Sequence, residues 1–249
     1  MTCDDYLRKE WDDAAEAWLD FVGTGKDYTR TELNNPAAFD LIGDVKGRIV
    51  LDLACGEGFN TRILARMGAR VTGVDFSERL VEFARKEEAH AMMGINYEVI
   101  DAANLGTLSD GCFDLVTCFM ALQDISDYRK AVSEVARVLK DRGRFVFSIP
   151  HPCFEKISLM GRKIPAASHY FGVVEYHIDW KMERLEKPFV TTSFHRTLTD
   201  YFRSLCSSKL FVRRLVEPRL DRESAARYPY LEEALVRPQS VIIESVKIS

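Results

Sequence analysis

Between residues 5 and 21 the apolar positions Trp11, Ala14, Ala15, Trp18 and Leu19 recur at helical spacing and share one face. The chain is therefore expected to open on an amphipathic helix. Glycines at 23 and 25 interrupt it, and a second helix is expected near 30–42. From there the pattern alternates. Short apolar runs at Arg48–Leu53, Arg70–Asp75, Ile95–Ile100, Phe113–Phe119 and Gly143–Ile149 predict strands. Helical spacing over Phe59–Met67, Ser77–Ala89 and Ser126–Leu139 predicts helices between them, with Ser77 as an N-cap. Continuous apolar strands suit a parallel sheet buried on both faces. Alternating strand and helix with short loops predicts a doubly wound α/β fold.

Beyond Pro150 the rhythm changes. Residues 153–192 carry glycines, prolines and aromatics, and "FGVVEYHIDW" alternates with a period of two. This predicts an inserted antiparallel hairpin or lid. Phe194–Cys206 reads as a helix, and Lys209–Glu217 and Val241–Ile248 as strands, the last closing the sheet as an edge or antiparallel partner.

Composition narrows the picture without naming a task. Of 249 residues, 47% are apolar and 29% charged, an ordinary balance for a globular protein. The net charge of −4 advertises no polyanionic partner. Arg203, Lys209, Arg213, Arg214, Arg219, Arg222 and Arg227 are interleaved with Glu217, Asp221 and Glu223 and read as a solvated face. Six cysteines lie at 3, 55, 112, 118, 153 and 206 with no Cys-x-x-Cys pair and no zinc spacing, so no metal is expected. The acidic N-terminus has no secretory pattern, and no apolar run approaches the roughly 18 residues of a membrane span. A cytoplasmic location is expected.

The chemistry concentrates in "VLDLACGEGFN", where a strand runs into a glycine turn. A dinucleotide turn would place a third glycine at Thr61, and a Walker loop would continue with Gly-Lys-Ser/Thr. Glu57 would also stand beside any phosphate, and like unit charges about 4 Å apart repel by roughly 4 kcal/mol at an effective dielectric near 20. The turn therefore suits a neutral or cationic ligand. Asp75 ends the second strand 19 positions after Gly56, where a carboxylate accepts ribose hydroxyls. Asp101 ends the third strand, where it suits an adenine amino group. Acids at three successive strand ends and no basic cradle suggest an adenosine that lacks phosphates and bears a cation. Taken singly, Asp75 also suits a helix N-terminus and Asp101 an N-cap.

These residues resemble the class I methyltransferases that use S-adenosylmethionine (SAM), especially the small-molecule group with an N-terminal helical cap. The stretch "IVLDLACGEGFNTRILARMGARVTGVDFS" resembles the family's glycine loop and ribose acid, "DAANL" its adenine motif and "FDLVTCFMALQDISD" its fourth-strand motif. The resemblance implies a seven-stranded, Rossmann-like, mostly parallel sheet with a reversed last hairpin. It implies one domain over 1–249: a cap at 1–45, a SAM-binding core at 46–152, a lid at 153–193 and the end of the sheet at 194–249. SAM is the implied cofactor and S-adenosylhomocysteine the product. The implied cofactor residues are Tyr28, Arg30, Asp52, Ala54, Cys55, Gly56, Gly58, Asp75, Phe76, Asp101, Ala102, Ala103 and Phe119. Tyr28 and Arg30 would close over the cofactor, with Arg30 pairing its carboxylate. Asp52 and Glu57 would offer the sulfonium and ammonium a favourable field. Many members carry glycine where this chain has Ala54, and alanine is expected to fit if φ there is negative.

His151, held between Pro150 and Pro152 after the fifth strand, and His195 are the candidate catalytic bases. His169 and His177 fall in the lid. Asp124 suits either orientation of a substrate or a helix cap. Trp11 and Trp18 suit core packing better than a substrate platform. The implied partner is a small-molecule methyl acceptor, with no clear nucleic acid, no membrane, and homodimerisation left open. The alternatives are methylation of tRNA and a SAM-binding regulator without turnover; an NAD-dependent reductase is disfavoured by Thr61 and Glu57.

Overall fold

The computed structural model describes residues 3–25, 27–159, 162–180 and 188–248. Helix α1 (Cys3–Gly23) opens the chain, and a π-helical turn at Thr29–Asn34 leads directly into α2 (Asn35–Ile42). The alternating part follows as β1 (Ile49–Leu53), α3 (Phe59–Arg66), β2 (Arg70–Asp75), α4 (Glu78–Ala91), β3 (Asn96–Val99), β4 (Phe113–Phe119), α5 (Tyr128–Val138) and β5 (Leu139–Pro150). Two hairpins come next: β6 (Lys156–Leu159) with β7 (Arg162–Pro165), and β8 (Val174–Trp180) with β9 (Phe189–His195). Helix α6 (Leu198–Ser207), β10 (Leu210–Val216), α7 (Arg222–Arg227) and β11 (Ser240–Lys247) complete it.

The main sheet has seven strands in the order β10-β11-β5-β4-β1-β2-β3. β11 is antiparallel to both neighbours, and the remaining pairs are parallel. Both faces are covered because successive side chains point opposite ways. Val50 and Val146 pack with Leu41, Leu64, Val81 and Ala84 on the side of α2, α3 and α4. Leu51, Leu53, Phe145 and Phe147 pack with Ala131, Val135, Tyr201 and Leu205 on the side of α5 and α6. From β1 the chain winds to β2 and β3, then crosses back to place β4 on the other side of β1. That reversal opens a crevice beyond the carboxyl ends of β1 and β4, where ligands of such sheets bind.

Helix α1 lies across this end. Asp12 accepts from the Ser77 hydroxyl at 2.7 Å, while that hydroxyl accepts from the Leu80 N–H and caps α4 as expected. Glu10 accepts from the Thr192 N–H and hydroxyl, tying α1 to β9. Arg214 departs from the solvated reading of its cluster. It pairs with fully buried Glu244 at 2.6 Å, donates to the Leu41 carbonyl at the end of α2, and shares Glu244 with Arg144. None of the described helices is long and apolar enough to cross a membrane.

One predicted element changes. Phe194 and His195 belong to β9, and the helix read over Phe194–Cys206 starts at Leu198. Thr197 and Asp200 cap it reciprocally, each side chain accepting from the other's backbone N–H. Helix α7 and the 3₁₀ turn Pro229–Leu235 were not anticipated.

Candidate active site

The turn after β1 is built from left-handed residues: Ala54 at φ 52°, Gly56 at 55° and Gly58 at 79°. The negative φ on which an easy fit of Ala54 depended is thus not met. Left-handed geometry costs a residue with a Cβ about 1–2 kcal/mol, and the turn carries that strain. The two glycines have different reasons. A Cβ on Gly56 would meet nothing within 4 Å, because the residue faces a cavity. A Cβ on Gly58 would clash with Tyr97 Oη, so Gly58 is required by packing and is no wall of the cavity. Gly58→Ala is therefore expected to destabilise the fold by about 2–5 kcal/mol, from left-handed strain and overpacking together. Gly56→Ala is expected to lose only the strain, about 1–2 kcal/mol. Urea unfolding of the two variants checks this, and equal losses would refute the packing reason.

Glu57, the odd acid in the turn, does not face a ligand as a free charge. Its Oε1 meets Arg30 Nη1 at 2.5 Å and its Oε2 accepts from the Trp18 indole at 2.9 Å. Arg30 also pairs with Asp27 at 3.0 Å, and its guanidinium lies over the Trp18 and Phe59 rings. Burial works against the charge on Glu57, but Arg30 and the indole outweigh it and hold the acid below its ordinary range. Burial likewise opposes the charge on Arg30, and Glu57 and Asp27 reverse the effect and raise it. Arg30 was expected to pair a ligand carboxylate; it borders the cavity with Nε held by Asp27 and Nη1 by Glu57.

Asp75 is buried at the end of β2. Its Oδ2 accepts from the Gly56 N–H at 2.8 Å and its Oδ1 from the Ser77 N–H at 2.9 Å. Burial pushes its pKa up to about 6, against the pull of those two N–H groups. Asp52 reaches about 6 for the same first reason, opposed by the hydroxyls of Thr61 at 2.6 Å and Thr117 at 2.7 Å. Asp101 accepts from the Ala103 N–H at 2.8 Å. Burial raises the Cys55 thiol well above its usual range, so it stays protonated.

These residues border one cavity of about 630 Å³. Tyr28, Arg30, Asp52, Ala54, Cys55, Gly56, Asp75, Phe76, Asp101, Ala102 and Phe119 all reach it. Gly58 and Ala103, both expected at the cofactor, do not. The far wall is aromatic. Trp18 packs edge-on against Trp11 and Trp180, with centroids 5.9 and 5.5 Å away, so Trp11 and Trp18 border the cavity as well as packing.

Neither candidate histidine reaches the cavity. His151 Nδ1 accepts from the Cys153 N–H at 3.2 Å, which leaves Nε2–H to donate to Glu217 at 2.9 Å. Fully buried His195 meets Glu155 through Nδ1 at 2.5 Å and the Tyr170 carbonyl through Nε2 at 3.1 Å. Both ring nitrogens are thus engaged inside the chain, away from the cavity. Burial lowers its pKa, but Glu155 and the Tyr170 carbonyl more than offset that and leave it raised. Both rings are structural. The prolines fix the backbone at His151, not the direction of its side chain.

Arg196 is a residue the sequence reading missed. Only 2% exposed, it donates to the carbonyls of Leu122, Gln123, Ile125 and Ser126 and stacks on Tyr128 and Phe194. It thereby pins the segment after β4, which presents Gln123 and Asp124 to the cavity. Asp127, not Asp124, caps α5.

Comparison with known proteins agrees with this geometry. Residues 51–147 match the methyltransferase domain family. The ubiquinone biosynthesis O-methyltransferase of Xanthomonas oryzae pv. oryzae is 29% identical over 63% of this chain and 69% of its own length. The one from Coxiella burnetii is 33% identical over 56% of this chain and 59% of its own length, so the match spans somewhat over half of that relative. An S-adenosylmethionine-dependent methyltransferase from Mesorhizobium loti superposes with a TM-score of 0.69 at 27% identity, covering 85% of this chain and 96% of that one. Residues 51–147 thus carry a methyltransferase domain, and the chain as a whole is similar to SAM-dependent methyltransferases.

Proposed function

We propose that the cavity binds SAM across the carboxyl ends of β1, β2 and β3 and presents it to a small, largely apolar hydroxyl acceptor. One observation carries this reading: the glycine turn, Asp75, Asp101 and an aromatic wall all face a single cavity of about 630 Å³, within the range of small-molecule sites. The residues fit the cofactor. Gly56 leaves room for a close approach. Asp75 can accept ribose hydroxyls on lone pairs its backbone donors leave open, with Asp101, Phe76 and Ala102 beside the base. Asp52 contributes charge more than a free acceptor, since both its oxygens are held by threonines.

Bound there, SAM supplies an activated sulfonium methyl. The chain's contribution is to hold the acceptor in line at near-attack distance and to exclude water, which the walls from α1 and β8 favour. An oxygen acceptor follows from the O-methyltransferase names of the curated relatives.

Calorimetric titration with S-adenosylhomocysteine tests the cofactor, and transfer of isotopically labelled methyl from SAM to a panel of phenols tests the reaction. Saturable one-to-one binding with label in an ether product is expected. No binding at high micromolar ligand would refute the reading.

A further inference from the structure

Resting on that cofactor reading, we propose that Asn34, Asn35 and Asn60 hold the amino-acid head of the cofactor, so that its carboxylate meets neutral amide N–H groups and not the Arg30 guanidinium. Asn34 ends the π-helical turn, Asn35 opens α2, and Asn60 lies in the first turn of α3. They are 5, 7 and 9% exposed, and all three border the cavity. Asn35 Nδ2 donates to Asn60 Oδ1 at 2.7 Å, and the Ser240 hydroxyl donates to Asn34 Oδ1 at 2.5 Å. Asn35 Oδ1 and the amide nitrogens of Asn34 and Asn60 are left with no partner among the described residues. None of these three atoms is sealed from solvent, so the cavity is what they meet. Turning over both amides of the Asn35–Asn60 pair changes nothing, since one nitrogen and one oxygen still stay open. Local structure does not account for these residues. Asparagine is a poor helix former and a good N-cap, yet Asn34 occupies the N-cap position of α2 without making a cap bond.

Place and charge point to the part of the ligand. A nucleoside over Asp101, Phe76 and Asp75 follows the ends of β3 and β2 and continues over the turn after β1. Asn60 lies just beyond that turn, at the start of α3. The end of the ligand farthest from its base therefore belongs with the asparagines. In SAM and S-adenosylhomocysteine that end carries an ammonium and a carboxylate, which call for acceptors and donors side by side, and open amide nitrogens beside an open amide oxygen supply both. Arg30 suits the carboxylate badly. Asp27 and Glu57 hold its Nε and Nη1, so two carboxylates outweigh one guanidinium. Asp52 and Asp75 border the same cavity. Such a field favours the ammonium and opposes a carboxylate, which is better received by donors that need no net charge nearby.

The test is calorimetry on the full chain with S-adenosylhomocysteine and with methylthioadenosine, which keeps the nucleoside and the sulfur but lacks the amino-acid head. The parent is expected to prefer S-adenosylhomocysteine about 100-fold, the worth of two hydrogen bonds to charged groups. Asn34→Ala and Asn60→Ala are each expected to weaken S-adenosylhomocysteine about tenfold and to leave methylthioadenosine unchanged, which also shows that the variant is folded. A third ligand tests the parent chain alone: S-adenosylhomocysteine with its carboxylate converted to a carboxamide. Amide donors should lose less than about tenfold on that change, the difference between a charged and an ordinary hydrogen bond. A greater loss, the mark of an ion pair with Arg30, would overturn the proposal. So would equal binding of S-adenosylhomocysteine and methylthioadenosine by the parent, or asparagine variants that weaken both ligands alike or neither. Failure of the parent to bind either ligand would instead overturn the cofactor reading beneath it.

Discussion

Arg30→Ala is expected to lower the unfolding free energy by about 3–5 kcal/mol, because it strands Glu57 as a buried charge. The loss is large against a total stability of roughly 5–15 kcal/mol. Glu57 has a side chain 6% exposed and Arg30 one 17% exposed, so water can replace little of the lost partner. The Trp18 indole still donates to Oε2, but it carries no charge. Replacing both partners, as in Arg30→Met with Glu57→Leu, removes the stranded charge and is expected to recover most of the loss. Urea unfolding of the parent, the two single variants and the double variant gives the coupling directly. A loss under about 1 kcal/mol for Arg30→Ala, the range of an exposed ion pair, would show that solvent reaches the pair.

Asp75→Ala is expected to weaken S-adenosylhomocysteine about 100-fold, or near 3 kcal/mol, since hydrogen bonds to a charged group contribute about 1.5–3 kcal/mol each. Asp75 also holds the Gly56 and Ser77 N–H groups, so Asp75→Asn is the companion variant, keeping the shape without the charge. Calorimetry on both measures the effect, and unchanged affinity in the alanine variant would remove Asp75 from the cofactor site. The raised pKa values set opposite pH trends. Asp75 and Asp52 titrate at about 6 in the folded chain against an ordinary value of 3.8. Between those values the native state binds more protons than the unfolded chain, so stability without ligand falls as pH rises through that window. Affinity for the ligand should rise over the same interval, as the carboxylates gain charge.

Much of the fold was legible because it rests on local pattern. The bounds of β2 and β4 coincide with the apolar runs that predict them, and Ser77 caps the helix it precedes. The neighbourhood of the three acids was legible too: Asp52 lies near the end of β1, Asp75 ends β2 and Asp101 follows β3 by two residues. What escaped depends on residues far apart in sequence. Strand β9 buries Thr191, Thr192 and Ser193, so polarity along it shows no period and the run toward Phe194 passes for a helix. Glu57 reads as a ligand-facing charge until Arg30 is brought to it from the π-helical turn. His151 and His195 stand where a base is wanted, but ring direction is settled by Glu217, Glu155 and the Tyr170 carbonyl, none of which a motif announces. Gln123 and Asp124 form a visible polar pair, yet their placement depends on Arg196, about 70 residues downstream.

The bond between Glu10 and Thr192 joins segments 182 residues apart in the chain. Contacts that distant repay their loop-closure entropy only after the intervening sheet is organised. The roof of the cavity is therefore expected to assemble after the floor beneath it. Amide hydrogens of α1 should exchange ahead of those in β1 and β4, and a ligand that touches both roof and floor should slow the early ones most.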